Sequence, residues 1–348
     1  MRVALVGVGL IGGSIGMAAR ARLGAHVVGW NRTRSALDTA LELGAIDEAV
    51  DSIAEIGEAD VAIASVAVDA LPVAVRELCV ALPGAVVSDV GSTKQALVDA
   101  VELENFIGGH PLAGAESTGV QHAREDIFDG AVWYLTPRPE TPGVLYERLV
   151  HFIAGIGAAP TAIAPADHDR LMAAVSHLPH VVANLLVAQA AAALGGETLP
   201  ATGPSFRDAT RVAGANPALW AQIYRANGAA LGIEIDDLVR RLQDVRAMLG
   251  EPGADLEAWQ EAAARQRHAL LEVGLIGGTV REIRASVTNK PGVVAALALA
   301  LGRAGINISD MSLAPEVDNS TGIVALWVPA QDAERAIELV AELGYPAA

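Results

Sequence analysis

The strongest candidate for acid–base chemistry in this sequence is His110, in the glycine-rich run GGHPLAG at residues 108–114. An imidazole close to its free pKa is suited to general base work at neutral pH. The glycines leave space for a ligand beside the ring, and Pro111 stiffens the loop. We therefore expect His110 to be catalytic. The alternative is a histidine that is hydrogen-bonded within its own loop.

Ser92, in the run SDVGSTK at residues 88–94, is the second candidate. Its hydroxyl can donate to a substrate hydroxyl or to a cofactor, or it can cap the next helix together with Thr93. Both runs follow apolar segments that are predicted strands. Open α/β sheets bind ligands at the carboxyl ends of their strands, so Ser92 and His110 are expected where a ligand binds.

Two further histidines, His177 and His180 in the run SHLPH, lie three residues apart and share one face of a predicted helix. Pro179 bends or begins a helix there, which turns this face toward a cleft. No Cys, Asp or Glu completes a set of metal ligands at such spacing. We expect contact with a substrate and no metal site; a structural hydrogen-bond network is the alternative.

Arg207 and Arg211, in the run FRDATR, lie four residues apart on one predicted helical face. A guanidinium group binds a carboxylate through two parallel hydrogen bonds, so this pair predicts carboxylate recognition in an otherwise apolar region. Asp208 could instead pair with one of the arginines, which would make the pair structural.

The first glycine-rich run, GVGLIG at residues 7–12, directly follows an apolar segment at residues 2–6. A strand, a glycine turn and a helix of small residues form the binding site for a dinucleotide pyrophosphate. A strand–helix turn without a ligand is the alternative. The residues expected at the cofactor are Gly7, Gly9, Leu10, Ile11, Gly12, Asn31, Arg32, Thr33 and Arg34.

The end of the second predicted strand, at residues 26–30, indicates which nicotinamide cofactor binds. An acidic residue about 20 positions after the glycines would hold the free ribose 2′-hydroxyl of NAD. This chain has Asn31 there, followed by Arg32 and Arg34. No carboxylate repels a 2′-phosphate, and guanidinium groups bind phosphate well, so NADP is favoured over NAD. The alternative is that both arginines are solvated.

The elements that carry these residues fall into three predicted domains within an α/β fold class. Residues 1–163 alternate apolar strands with helices, as in a doubly wound, mostly parallel Rossmann sheet. Residues 164–276 read as an all-helical substrate domain, and several helices are apolar on more than one face, which predicts a homodimer. Residues 279–348 follow Gly277-Gly278 in the order β-α-β-β-α of a ferredoxin-like α+β module.

Composition excludes several classes of protein. The net charge of −17 disfavours nucleic acid and anionic membranes as partners. The chain has no uninterrupted apolar run long enough to span a membrane, and its first residues form a predicted strand rather than a signal peptide. A single cysteine, Cys79, excludes an internal disulfide framework. We expect a cytoplasmic protein.

Taken together, these segments resemble the prephenate/arogenate dehydrogenase family of tyrosine biosynthesis over nearly the whole chain. The runs that carry the resemblance are GVGLIG, SDVGSTK, GGHPLAG with Glu116 and Gly119 after it, SHLPH and FRDATR. The last module resembles an ACT domain, with NKPG at residues 289–292 and GINI at residues 305–308. The resemblance implies oxidative decarboxylation of prephenate to 4-hydroxyphenylpyruvate with NAD(P)+, or the corresponding reaction of arogenate to tyrosine.

The resemblance also implies roles for the candidate residues. His110 would accept the proton of the ring C4 hydroxyl, and Ser92 would orient the same hydroxyl. Arg211 would bind a substrate carboxylate, with Arg207 as the second choice. His177 and His180 would line the pocket.

The ACT-like module predicts an amino-acid effector, and the pathway product tyrosine is the expected ligand. Its expected contacts are Asn289, Pro291, Gly292 and Asn307. The alternative is a module that only strengthens oligomerisation. We expect a chain that ends near Gly278 to keep its activity and to lose sensitivity to tyrosine.

Two other functions remain as hypotheses. A β-hydroxyacid dehydrogenase would use a lysine of the second domain, but residues 95–289 contain none. A nucleotide- and amino-acid-sensing regulator without catalysis would not need the set of His110, Ser92 and Arg211.

Overall fold

The computed structural model describes residues 1–114, 117–195, 204–272, 280–288, 290–315 and 321–348. Its first domain contains a five-stranded parallel sheet with strand order β3-β2-β1-β4-β5. The elements are β1 (Arg2–Val6), α1 (Leu10–Leu23), β2 (His26–Trp30), α2 (Arg34–Glu42), β3 (Glu48–Ala49), β4 (Val61–Ala64), α3 (Leu71–Ala81), β5 (Val86–Asp89) and α4 (Gln95–Ala100).

The apolar strands of this sheet are buried on both faces. Val3 and Leu5 of β1 pack into one apolar cluster, whereas Ala4 and Val6 pack into a second cluster on the opposite face. A parallel sheet covered on both faces needs continuous apolar runs rather than alternation. The sequence pattern therefore predicted these strands correctly.

A second, three-stranded sheet extends the domain. It consists of β6 (Gly108–Pro111), β7 (Val132–Thr136) and β8 (Ala159–Ala162), with α5 (Gly143–Gly155) between the last two. β7 pairs antiparallel with β6 and parallel with β8. A bridge between Val87 and Phe106 connects the two sheets. The expectation of a mostly parallel sheet thus holds for β1 to β5, and the bridge is parallel, so β6 continues in the same direction. β7 and β8 run in the opposite direction, which the sequence did not predict.

The described residues from 164 to 272 are helical and contain no strand, as predicted. Their first helices, α6 (Pro165–Met172) and α7 (Leu178–Ala193), are joined without a break by a π-helix, Ala173–His177. Pro179 has no N–H to donate to the preceding turn, and the wider π turn lies directly before it. The remaining helices are α8 (Pro204–Thr210), α9 (Pro217–Ala226), α10 (Gly228–Gly250) and α11 (Leu256–Glu272).

Several helices of this region expose apolar side chains. Leu185 of α7 is 61% exposed, and Leu242 and Leu249 of α10 are 59% and 69% exposed. The helical run Pro165–Ala193 is also long and apolar enough to cross a membrane by length and composition alone. Exposed apolar surface of this extent marks a contact face.

The C-terminal module has the predicted element order. It contains β9 (Val280–Thr288), α12 (Val293–Arg303), β10 (Asp310–Pro315), β11 (Thr321–Pro329) and α13 (Ala333–Glu342). Its sheet is antiparallel with order β10-β11-β9. The end of the chain also pairs with this sheet, because the amides of Arg284 and Ser286 of β9 donate to the carbonyls of Ala348 and Pro346.

This module packs directly on α5 and β8 of the first domain. A Cβ atom at Gly302 of α12 would lie 1.8 Å from the carbonyl oxygen of Ala162, so the two elements approach to backbone contact. The Leu313 amide donates to the Glu147 carboxylate at 2.9 Å. Buried apolar residues of the domain and the module form one continuous cluster. The module is therefore a packed layer of the first domain.

Candidate active site

The glycine run at the end of β1 has the shape that a dinucleotide pyrophosphate requires. Gly7 has a φ of 92°, and a Cβ atom there would lie 2.2 Å from the Ser65 carbonyl oxygen. A Cβ at Gly12 would lie 2.1 Å from the carbonyl oxygen of Gly7, whereas a Cβ at Gly9 would meet nothing within 4 Å. No side chain caps the N-terminus of α1, which begins at Leu10. The amides of Leu10 and Ile11 therefore suit a phosphate group.

The end of β2 has a more specific arrangement than the sequence indicated. Asn31 accepts a hydrogen bond from the Val8 amide at 3.2 Å, which ties the glycine run to this strand end. Arg34 forms ion pairs with Asp38 and Asp51. Arg32 is exposed and makes no hydrogen bond or ion pair with the described residues. Of the two guanidinium groups, only that of Arg34 is paired with carboxylates of the described residues, and that of Arg32 is not.

A buried ion pair connects the loops that carry Ser92 and His110. Lys94 and Asp89 are both inaccessible to solvent, and their side chains pair directly. Asp89 also accepts hydrogen bonds from the amides of Gly91 at 2.7 Å and Gly109 at 3.0 Å. Burial lowers the pKa of Lys94, and the Asp89 carboxylate partly opposes this. The pair fixes the end of β5 against β6.

Ser92 lies between Asp89 and Lys94 in the sequence and is half-buried. It makes no hydrogen bond with any described residue. Neither Ser92 nor Thr93 caps α4. Asp169 of α6 does so from another domain, because its carboxylate accepts from the amides of Lys94 at 2.8 Å and Gln95 at 3.0 Å. The capping alternative for Ser92 is therefore wrong.

His110 ends a chain of buried side chains. Its Nδ1 lies 2.9 Å from Nε2 of His168, and Nδ1 of His168 lies 2.8 Å from Oδ1 of Asp169. His110 is 9% exposed. Burial holds the pKa of His110 well below its usual value, and the neighbouring His168 and Lys94 lower it further. The expectation of an imidazole near its free pKa is therefore wrong, because the ring is desolvated.

The face that carries His177 and His180 turns toward Trp220 of α9. The His180 ring stacks on Trp220 with ring centroids 3.4 Å apart, and the His177 ring meets it edge-on at 5.9 Å. Asn227 Nδ2 lies 3.1 Å from His177 Nδ1 and donates to the Asp169 carbonyl at 2.7 Å. Burial lowers the pKa of His177 to about 4. The two histidines share one face, as predicted.

The two arginines do not share a helical face, which corrects the prediction. α8 ends at Thr210, and Arg211 begins a 3-10 turn, Arg211–Gly214. Burial lowers the pKa of His180, and the positive charge of Arg211 lowers it further, so Arg211 lies close to this histidine. Arg207 lies exposed on α8. Arg211 is exposed as well, but of the two arginines it is the one whose charge acts on His180.

Sequence reasoning missed three residues of this site: His168, Asp169 and Asn227. The sequence signal for two of them was the adjacent pair His168 and Asp169 in α6, the first helix after β8. Among the described residues no group of three or more His, Cys, Asp or Glu side chains could hold a metal ion.

Comparisons with known proteins agree with this architecture. The family model for the nucleotide-binding domain of prephenate dehydrogenase matches residues 15–161, and the model for its dimerization domain matches residues 164–261. Prephenate dehydrogenase of Bacillus subtilis (strain 168) is 31% identical over 98% of this chain and 96% of its own length.

Two solved structures are similar at 28% sequence identity. Synechocystis arogenate dehydrogenase has a TM-score of 0.67 and covers 77% of this chain and all of its own. Aquifex aeolicus prephenate dehydrogenase in complex with hydroxyphenyl propionate and NAD+ has a TM-score of 0.68 and covers 78% of this chain and 96% of its own. With the glycine run, these matches identify an NAD(P)-dependent dehydrogenase. The chain belongs to the prephenate dehydrogenase family.

Proposed function

We propose that this enzyme converts prephenate to 4-hydroxyphenylpyruvate and CO2 in tyrosine biosynthesis. The observation that carries the proposal is the position of His110, a buried neutral imidazole at the sheet edge where Ser92 also lies. When bound, the nicotinamide accepts a hydride from ring carbon 4. Nε2 of His110 takes the proton of the C4 hydroxyl as the hydride leaves, and it returns that proton to the phenol oxygen once CO2 has left and the ring is aromatic. The reaction therefore releases no net proton.

Charge supports this choice of substrate. Prephenate carries two carboxylates, and Arg211 is the proposed partner of one of them, because a charge-assisted pair in a partly apolar pocket binds strongly. His177 and His180 line the same pocket, and Ser92 is proposed to orient the substrate hydroxyl. Arg207 is the second choice for the carboxylate.

Arogenate is the alternative substrate, because it differs from prephenate only in an amino group that replaces the keto group. A matrix of initial rates, with two substrates and two cofactors, tests the proposal through absorbance at 340 nm. We expect prephenate with NADP to give the largest kcat/KM. A protein that binds the dinucleotide but oxidises neither substrate would contradict the proposed function.

The preference for NADP rests on Arg32. Its guanidinium is exposed at the end of β2 and has no described partner, and no acidic residue replaces Asn31. We propose that Arg32 binds the 2′-phosphate. Arg34 contributes less, because Asp38 and Asp51 already neutralise it.

We also propose a cytoplasmic homodimer that buries the exposed apolar faces of α7 and α10. The dimerization model that matches residues 164–261 supports this assembly. Tyrosine remains the proposed effector, at the turn that includes Pro291 and Gly292. Of the other two predicted contacts, Asn307 accepts from the Thr161 hydroxyl at 2.8 Å, and Asn289 lies outside the described residues.

A further inference from the structure

We propose that Asp169 sets opposite tautomers on the two pocket histidines, so that His110 presents a proton acceptor and His177 presents a proton donor. This inference rests on the proposed function for its catalytic meaning and on hydrogen-bond geometry for its content. Asp169, His168 and Asn227 are then positioning residues, because they act on the substrate through His110 and His177.

The first step is the charge state of Asp169. Its Oδ1 accepts from the Lys94 amide and its Oδ2 accepts from the Gln95 amide. These hydrogen bonds and the one to His168 lower the pKa of Asp169 although burial opposes them. A carboxylate without a proton only accepts, so Nδ1 of His168, 2.8 Å from Oδ1, must be the N–H that donates.

The second step transfers this constraint to His110. The neighbours of His168 and His110 include the cationic Lys94, the anionic Asp89 and Asp169, and the neutral His177. Burial lowers the pKa of both imidazoles, so each ring carries one proton at neutral pH. With its proton on Nδ1, His168 can only accept at Nε2. The His110 Nδ1, 2.9 Å away, must therefore donate, which leaves a lone pair on His110 Nε2.

The third step concerns His177, which is linked to the backbone carbonyl of Asp169 through Asn227. The Asp169 carbonyl accepts from Asn227 Nδ2 at 2.7 Å, which fixes the orientation of the Asn227 amide. The same Nδ2 lies 3.1 Å from His177 Nδ1, so this ring nitrogen accepts. A neutral His177 then carries its proton on Nε2. The side chain and the backbone of Asp169 thus give the pocket one acceptor and one donor.

The direct test is the nitrogen-15 spectrum of histidine-labelled protein at pH 7.5, which distinguishes a protonated from a bare ring nitrogen. Spectra of His110→Asn and His177→Asn assign the two rings by the signals that disappear. We expect His110 protonated on Nδ1 and His177 protonated on Nε2. The opposite tautomer on either ring would overturn the inference, whichever substrate the enzyme uses.

Kinetics of variants give the second test. His168→Leu removes the acceptor for His110 Nδ1–H, and we expect kcat to fall by about 10- to 100-fold, since correct orientation of a base accounts for a large part of its effect. His168→Gln offers an amide oxygen and should recover at least part of this loss. Dinucleotide affinity should stay within twofold in both variants, because the glycine run is separate. Equal kcat for the two variants would contradict the role assigned to His168.

Asp169→Asn has a matched control in Asp167→Asn on the same helix, where Asp167 forms an exposed ion pair with Arg170. An amide has one oxygen for the three N–H groups that the Asp169 carboxylate accepts, so at least one of them loses its partner. We expect kcat to fall at least tenfold for Asp169→Asn and to change less than twofold for Asp167→Asn. Equal effects would remove Asp169 from the mechanism.

Discussion

Burial makes His110 a weaker base than a free histidine, yet this suits the proposed reaction. The C4 hydroxyl of the substrate becomes acidic as the hydride leaves, because positive charge develops on the adjacent carbon. A base of low pKa then stays unprotonated until it is needed, and it readily returns the proton to the phenol oxygen. The low pKa is caused first by desolvation, and His168 and Lys94 add to it.

Replacement of His110 by Asn should lower kcat by about 10²–10⁴-fold, the typical contribution of a positioned base. Dinucleotide binding, followed by fluorescence titration, should stay nearly unchanged. The matched control is His26→Asn, an exposed histidine at the start of β2. A His110→Asn enzyme that keeps more than half of the native activity would exclude this residue from the mechanism.

His177 should make stability depend on pH. Its pKa is about 4 in the folded chain and about 6.5 when unfolded. As pH falls below 6.5, His177 binds a proton in the unfolded state but not in the folded state. The free energy of unfolding therefore decreases between pH 6.5 and 4. The free energy of unfolding, measured with urea between pH 6.5 and 5, should decrease as pH falls. This decrease should be less steep in His177→Gln than in the native protein, by up to about 1.4 kcal/mol per pH unit. Identical slopes would contradict the lowered pKa.

Sequence reasoning selected His110, Ser92 and the glycines as candidates, but not the buried His168 and Asp169 that hydrogen-bond behind His110. His110, Ser92 and the glycines lie in runs whose composition is unusual enough to notice. His168 is 58 positions from His110, and the two meet only because α6 packs against β6 and the start of α4. The pKa of His110 was also missed, because burial is a property of the folded chain.

The end of α8 places Arg207 and Arg211 in different elements. A periodicity of four predicted that Arg207 and Arg211 share one face, but Thr210 ends α8 and its hydroxyl donates to the Phe206 carbonyl at 2.6 Å. Such an end is difficult to locate from sequence, since boundaries are the least reliable part of an element. The central strands β1, β2, β4 and β5, in contrast, were predicted well because buried apolar runs are a strong signal.

This difference predicts unequal effects of two identical substitutions. Arg211→Ala should lower kcat/KM for the substrate by about tenfold or more, mainly through KM, because a charge-assisted hydrogen bond contributes about 1.5–3 kcal/mol. Arg207→Ala, on the exposed face of α8, is the matched control and should change kcat/KM less than threefold. If the two results are reversed, Arg207 becomes the carboxylate ligand.

The C-terminal module completes the packing of the first domain. The expectation that a chain ending near Gly278 keeps its activity followed from the separate sequence pattern of the module and from the two glycines before it. Backbone contact at Gly302 and the shared apolar cluster indicate instead that truncation exposes buried surface of α5 and β8. Sequence periodicity shows which face of an element is apolar but not what covers it.

Gly302→Ala should therefore weaken the docking of the module without unfolding either part. A Cβ would lie 1.8 Å from the Ala162 carbonyl oxygen, and backbone must move to accept it. We expect a melting temperature several degrees lower. Gly250→Ala, in α10 with open space around it, is the matched control. A native melting temperature in Gly302→Ala would show that the contact adjusts at no cost.

The shared cluster also has a consequence during synthesis on the ribosome. The surfaces of α5 and β8 that the module covers, near Gly143 and Ala162, become covered only when residues beyond 280 have been made. Contacts between segments so distant in sequence form slowly, and transiently exposed apolar surface favours aggregation. The nascent first domain must therefore wait, with this surface uncovered, until the chain from residue 164 to residue 280 has emerged. Chaperones that shield apolar surface would find their target on α5 during this interval.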